Sequence, residues 1–278
     1  ILAADESNPT CGKRFASIGV EPTFKSRNEY RDMLLTSEGL EKYISGVIMF
    51  DETFRQSTTC DNATPFTQYL SSLGIVPGIK VDKGAKDLAG FDNEKITEGL
   101  DGLRDRLLNY RDLGARFAKW RSVITINGDI PTSQCINSNA RGLAIYAALC
   151  QEVGLVPIVE PEVLMDGPHD LERCEQVTAD TLVSVFSELH HHRVHLEGIL
   201  LKPNMVISGK TCAKQAQISE VAQATIRCFR RVVPSSVPGI VFLSGGQTPK
   251  QATENLNAIN AIGTAPWQLS FSYGRALQ

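Results

Sequence analysis

Apolar positions in this chain gather into short runs closed off by glycine, proline or charge. They span Ile1 to Asp5, Gly46 to Phe50, Val76 to Val81, Arg116 to Arg121, Leu155 to Pro161, Glu197 to Pro203, Gly239 to Gly245 and Trp267 to Gly274. Runs this brief and this rich in Val, Ile and Leu predict strands buried on both faces, as in a parallel sheet. The gaps between them leave room for a helix and two loops at each parallel crossover.

Between the runs the period changes from two to that of a helix. Glu98 to Gly114 sets Leu100, Leu103, Leu107 and Leu108 on one face, with Gly114 placed to end the helix. Arg141 to Gly154 and Asp170 to His190 read the same way, the latter with Leu182, Val183, Phe186 and Leu189 as its apolar stripe. Eight strand–helix periods in one chain predict an α/β fold, a single parallel (β/α)8 TIM barrel over residues 1–278. A dinucleotide-binding sheet is disfavoured, because no Gly-rich fingerprint follows the first strand.

Composition narrows the function without naming it. The chain has 278 residues, 42% hydrophobic and 21% charged, with a formal net charge of −3, close to an average globular domain. The scattered Lys and Arg form no basic stripe, so a nucleic-acid partner is not expected, and no apolar run is long enough for a membrane helix. The seven cysteines are widely spaced and never form C-x-x-C, which fits reduced thiols in a cytosol-like compartment and no structural metal.

Charge at the strand ends changes the picture. The first run ends at Asp5, the second at Asp51 and Glu52. The third carries Lys80 and Asp82, the fourth Lys119 and Arg121, the fifth Glu160 and Glu162, and the sixth Lys202. Side chains two apart on a strand share a face, so these groups are expected to converge on one barrel mouth, where active sites of this fold lie. Structural ion pairs could account for one such pair. Charge at the ends of six strands is better explained by use, since burying it is costly. After the seventh and eighth strands come Ser244-Gly245-Gly246 and Ser272-Tyr273-Gly274-Arg275. Glycines let backbone N–H groups approach an anion, and Arg275 can add a guanidinium, a combination that reads as a phosphate site.

Several of these segments carry a resemblance. Leu2 to Ser7 (LAADES), Pro77 to Gly84 (PGIKVDKG), Phe117 to Arg121 (FAKWR), Val156 to Glu162 (VPIVEPE), Leu200 to Met205 (LLKPNM), Leu243 to Gln247 (LSGGQ) and Phe271 to Gln278 (FSYGRALQ) are similar to class I fructose-bisphosphate aldolases, in order along the whole chain. The resemblance implies reversible cleavage of a sugar bisphosphate through a lysine Schiff base, with no cofactor and no metal. It makes Lys202 the Schiff-base lysine, Glu160 the proton donor and acceptor, Asp5 the group that guides the C4 hydroxyl proton, and Lys119 an assistant to the covalent steps. Arg121 and Glu162 stand in support. Ser244, Gly245, Gly246, Ser272, Gly274 and Arg275 would hold the C1 phosphate. Ser7, Thr10, Lys13, Arg14 and Lys80 would surround the C6 phosphate, Thr10 keeping the hydroxyl where many relatives have serine. A homotetramer is implied as well, in the cytoplasm, or in the plastid stroma after removal of a transit peptide. The family continues past the eighth strand into a helix and a tail, and begins before the first, so further residues are expected at both ends.

Chemistry supports the same reading. A lysine attacks a carbonyl only as the free amine, and burial among other cations favours that form. Lys119 and Arg121 are expected to supply that field to Lys202. Two other readings stay open: a different Schiff-base barrel aldolase, and a non-catalytic barrel that scaffolds protein partners. Lys13-Arg14 together with the Ser-Gly-Gly and Tyr-Gly-Arg segments weigh against the first. Intact Asp5, Lys119, Glu160 and Lys202 weigh against the second. His190, His191, His192 and His195 read as a solvated helix end, Trp120 as packing on the far face of its strand, and Cys174 as a buried inert thiol.

Overall fold

The computed structural model describes residues 1–60, 62–263 and 265–278. Ten strands and nine helices occur among them. In chain order they are β1 (Leu2–Ala4), α1 (Asn8–Ala16), α2 (Phe24–Leu35), β2 (Gly46–Met49), α3 (Asp51–Phe54), α4 (Phe66–Ser72), β3 (Val76–Lys80), β4 (Ala85–Asp87), β5 (Lys95–Thr97) and α5 (Leu103–Asp112). There follow β6 (Phe117–Ile124), α6 (Ser133–Glu152), β7 (Val156–Val163), α7 (Leu171–His191), β8 (Leu200–Leu201), α8 (Ile218–Val232), β9 (Gly239–Phe242), α9 (Pro249–Ala261) and β10 (Gln268–Phe271). Eight strands form one sheet in the order β1-β2-β3-β6-β7-β8-β9-β10, each paired in parallel with the next, while β4 and β5 make a separate antiparallel hairpin. The two edges of the large sheet also meet: the Ala3 N–H donates to the Tyr273 carbonyl at 2.8 Å, beside a parallel Leu2–Tyr273 bridge.

All eight expected strands are present, most of them trimmed. The sixth is the shortest: only Leu200–Leu201 pairs, because Leu196–Gly198 turns as a 3₁₀ helix first. β6 and β7 instead run past their expected ends, to Ile124 and Val163. The helix expected from Glu98 begins only at Leu103, since Gly102 takes a left-handed conformation (φ 65°) that a helix cannot continue. α6 starts eight residues before Arg141, at a Thr132 cap whose hydroxyl accepts from the Cys135 N–H. α7 starts behind Asp170, whose carboxylate accepts from the Arg173 N–H at 2.8 Å.

Strand alternation sorts the side chains into two populations. Leu2, Val47, Met49, Ile79, Ala118, Trp120, Val159, Leu201, Ile240 and Phe242 join the large core with the surrounding helices. Trp120, fully buried, stacks on Tyr146 of α6 at 5.6 Å, the packing role expected of it. The intervening positions Ala3, Ile48, Phe117, Ile158 and Val241 form a separate apolar cluster on the opposite face. Phe117 lies flat over Gly78, so closely that a Cβ there would stand 2.2 Å from its ring. This cluster floors the functional site, since the next residues of the same alternation are Asp5, Phe50, Lys80, Lys119, Glu160, Lys202 and Leu243.

Candidate active site

One step above the apolar floor the inward positions turn polar. Lys119, Glu160 and Lys202 are each buried, and they line a cavity of about 800 Å³ together with Asp5, Lys80, Asp82, Arg121 and Glu162. Lys202 Nζ stands 3.2 Å from Glu160 Oε1, and Lys119 Nζ stands 3.3 Å from Glu160 Oε2. Lys119 also pairs with Asp5 at 2.7 Å and reaches Asp82 at 4.0 Å. A single carboxylate therefore sits between two ammonium groups. Glu160 Oε2 is buried and accepts no hydrogen bond from the protein, held only by the Lys119 ion pair.

The electrostatics refine the sequence expectation. Burial pulls the Lys119 pKa down, but Asp5, Glu160 and Asp82 outweigh it and hold the ammonium charged well above the ordinary lysine range. Burial pushes the Asp5 carboxyl up, and Lys119 and Lys202 overcome this to hold it well below the usual carboxylate range. Arg121 turns to Glu162, bonding it through Nε. The positive field expected around Lys202 is thus largely met by carboxylates, and Lys119 acts as a fixed cation.

Ser244, Gly245, Ser272, Gly274 and Arg275 line the same cavity. Gly245 and Gly246 both have positive φ (59° and 92°), a turn open to glycine and strained for other residues. Ser272 Oγ is buried without a protein partner, and Gly274 lies against the Ala3 carbonyl, where a Cβ would be 3.2 Å away. On the other side Ser7 and Thr10 hydroxyls meet at 3.1 Å, and Arg14 pairs with Glu6 at 2.6 Å. Glu6 in turn takes Arg31 at 2.5 Å. Lys80 is tied to Asp82 at 2.6 Å.

Not every candidate converges. Lys13 is exposed on α1 and does not line the cavity, whereas its neighbour Arg14 does. Gly246 lies just behind the lining, against Arg275. Of the acidic pair after the second strand, Asp51 reaches the rim and Glu52 turns away to Arg27 at 2.6 Å. Sequence reasoning placed Asp82 at the mouth without a chemical role and assigned none to Glu6, Arg106 or Tyr110, which also line the site. Asp82 shares the inward face of Lys80 and was detectable by that spacing. Arg106 comes from the polar side of α5 and carries no such signal. His190, His191 and His195 are exposed at the end of α7, and no group of residues suited to holding a metal ion occurs among the described residues.

The strand ends of an eight-stranded parallel sheet bring two lysines onto one buried glutamate beside a glycine turn, an α/β site of the class suited to covalent carbonyl chemistry. The model of the class-I fructose-bisphosphate aldolase family matches residues 1–278. A probable class 1 fructose-bisphosphate aldolase of Xanthomonas axonopodis pv. citri is 58% identical over 278 residues, covering 100% of this chain and 83% of that protein. The cytosolic fructose-bisphosphate aldolase 6 of Arabidopsis thaliana is 53% identical, covering 100% of this chain and 77% of that protein. A solved structure of Plasmodium falciparum fructose-bisphosphate aldolase, in complex with TRAP and a small-molecule inhibitor, superposes with a TM-score of 0.97 at 50% identity, covering 100% of this chain and 80% of that one. The chain belongs to the class I fructose-bisphosphate aldolase family, and is a lyase.

Proposed function

We propose that this cavity cleaves fructose 1,6-bisphosphate reversibly to dihydroxyacetone phosphate and glyceraldehyde 3-phosphate, with Lys202 forming the Schiff base. The observation that carries the assignment is the placement of Lys202 Nζ 3.2 Å from Glu160 in a buried layer whose other cation, Lys119, is already paired. Of the two lysines, Lys202 is the one whose nitrogen is not fixed by Asp5. It attacks the C2 ketone, and Glu160 supplies and removes the protons as the carbinolamine forms and loses water. The iminium withdraws electrons from C2, so the pair left when C3–C4 breaks is spread into an enamine. Asp5, ionised at neutral pH, receives the C4 hydroxyl proton. Lys119, paired with both Asp5 and Glu160, keeps a fixed positive charge beside the two carboxylates that move protons. The Ser244–Gly246 turn, Ser272, Gly274 and Arg275 take the C1 phosphate, while Ser7, Thr10, Arg14 and Lys80 take the C6 end, with Lys13 contributing charge from outside the cavity. Fixing both phosphates sets the orientation of the carbon chain before chemistry begins.

The edge-to-edge bond from Ala3 to Tyr273 supports closure of the sheet into a (β/α)8 barrel, and the family match along residues 1–278 supports one catalytic domain. The homotetramer that the resemblance implies belongs to the same proposal, as does a cytoplasmic location, which the cytosolic relatives support. Among the described residues no helix is long and apolar enough to cross a membrane.

Borohydride tests the chemistry. Added with dihydroxyacetone phosphate, it should inactivate the enzyme and leave a mass increment on the peptide carrying Lys202, whereas EDTA should leave activity intact. Lys202→Met should abolish both labelling and cleavage. An enzyme that resists borohydride with substrate present and loses activity in EDTA would overturn the mechanism.

A further inference from the structure

Above the glycine turn, two loops are zipped together. Gly209 N–H donates to the His169 carbonyl at 2.8 Å, Lys210 N–H to Met165 at 2.8 Å, and Thr211 N–H to Gly167 at 3.1 Å. The contact is so close that a Cβ on Gly209 would stand 2.2 Å from the Gly167 carbonyl oxygen. One loop follows β7 and the other follows β8, so the pair is anchored at two strand ends and holds its position as a unit. Its purpose is visible at Lys210. The Lys210 ammonium pairs with Asp166 at 2.8 Å, and a Cβ on Gly246 would lie 3.0 Å from Lys210 Nζ and 3.3 Å from Arg275 Nη2. Two cations thus meet at the same backbone position, one from the segment after β10 and one from the zipped loops.

We propose that Lys210 is a second cationic ligand of the C1 phosphate, a substrate-positioning residue delivered by the loop after β8 and held near Gly246 by Asp166 until phosphate shares it. The inference rests on the reading of Ser244–Gly246 and Arg275 as the C1-phosphate cradle. An ammonium and a guanidinium converging on the turn match a dianion better than Arg275 alone, because the phosphate gains a second charge-assisted bond. Lys210 is partly exposed, so its effect is modest and falls with ionic strength.

Steady-state kinetics on the whole enzyme separates this role from that of a mere brace between loops. Lys210→Met should raise KM for fructose 1,6-bisphosphate and the inhibition constant of dihydroxyacetone phosphate about three- to tenfold, a range typical of losing one partly exposed charged ligand, with kcat nearly unchanged. Lys210→Arg should restore both constants. Asp166→Asn should leave both constants unchanged or lower them, since it frees the ammonium. If Lys210→Met and Asp166→Asn raised both constants alike, the pair would be only a strut and the proposal would fall. It would also fall if Lys210→Met changed neither constant while Arg275→Ala raised them, a result that leaves the cradle intact. If Arg275→Ala changed neither constant, the cradle itself would be misassigned.

Discussion

Lys202 and Lys119 approach opposite oxygens of one carboxylate, Glu160, at 3.2 and 3.3 Å. Two buried lysine nitrogens are brought this close to one another around that negative charge, with Asp5 and Asp82 also facing Lys119. Glu160 therefore joins the two lysines and stands within 3.2 Å of the nitrogen proposed to react. Glu160→Gln keeps the shape and removes the charge and the exchangeable proton. It should lower kcat by roughly a hundredfold or more, the scale of losing a positioned acid–base group. KM should change far less, and borohydride trapping should slow in step with kcat. Unchanged trapping kinetics would move the proton transfers to another group.

Asp5 links the site to stability at low pH. Its carboxyl is held below its ordinary value of 3.8 by Lys119 and Lys202 against the opposing effect of burial. The folded pKa lies below the unfolded one, so the stabilisation is complete above the unfolded value and is lost as pH falls below it. The Tm of the wild type should therefore drop more steeply between pH 5 and pH 3 than that of Asp5→Asn. At pH 7 the variant should be less stable by about 1–3 kcal/mol, because Glu160 and Asp82 still neutralise part of the Lys119 charge. Parallel Tm profiles for the two proteins would show that the ion pair adds nothing to folding.

The floor should be intolerant of a single methyl. Gly78→Ala places a Cβ within 2.2 Å of the packed Phe117 ring, which has Ile48 and Ile158 in the same cluster. Overpacking of this kind costs about 1–3 kcal/mol, read as a lower denaturant midpoint. Combining it with Phe117→Val should cost less than the sum of the two single changes. Additive losses would mean that the ring moves aside freely.

Much of this arrangement is legible from residues alone, for a local reason. Asp5, Lys80, Lys119, Glu160 and Lys202 stand at the ends of apolar runs, and a period of two puts them on the face of Ala3, Gly78, Phe117, Ile158 and Leu200. The start of α7 at Asp170 was legible but that of α6 at Thr132 was not, because Ser133, Gln134, Asn137 and Ser138 hide the first turns of α6 behind polar residues. The three-residue strands β4, which is exposed, and β5, which is half-buried, are too short for a repeat to announce them. Glu52 looked identical to Asp51 in sequence, and only the position of Arg27 on α2 separates their fates. Lys210 was illegible for the opposite reason: its place depends on backbone contacts between two irregular loops, which no periodicity encodes.

The apolar floor has a bearing on traffic. Ala3, Ile48, Phe117, Ile158 and Val241 pack the strands beneath the lysines with apolar side chains, so a closed barrel would make the cavity a blind alley. Substrate, water, hydride reagents and both product halves must use the same doorway. On the proposed reading, the half held at the glycine turn must leave past the same side chains that admitted it.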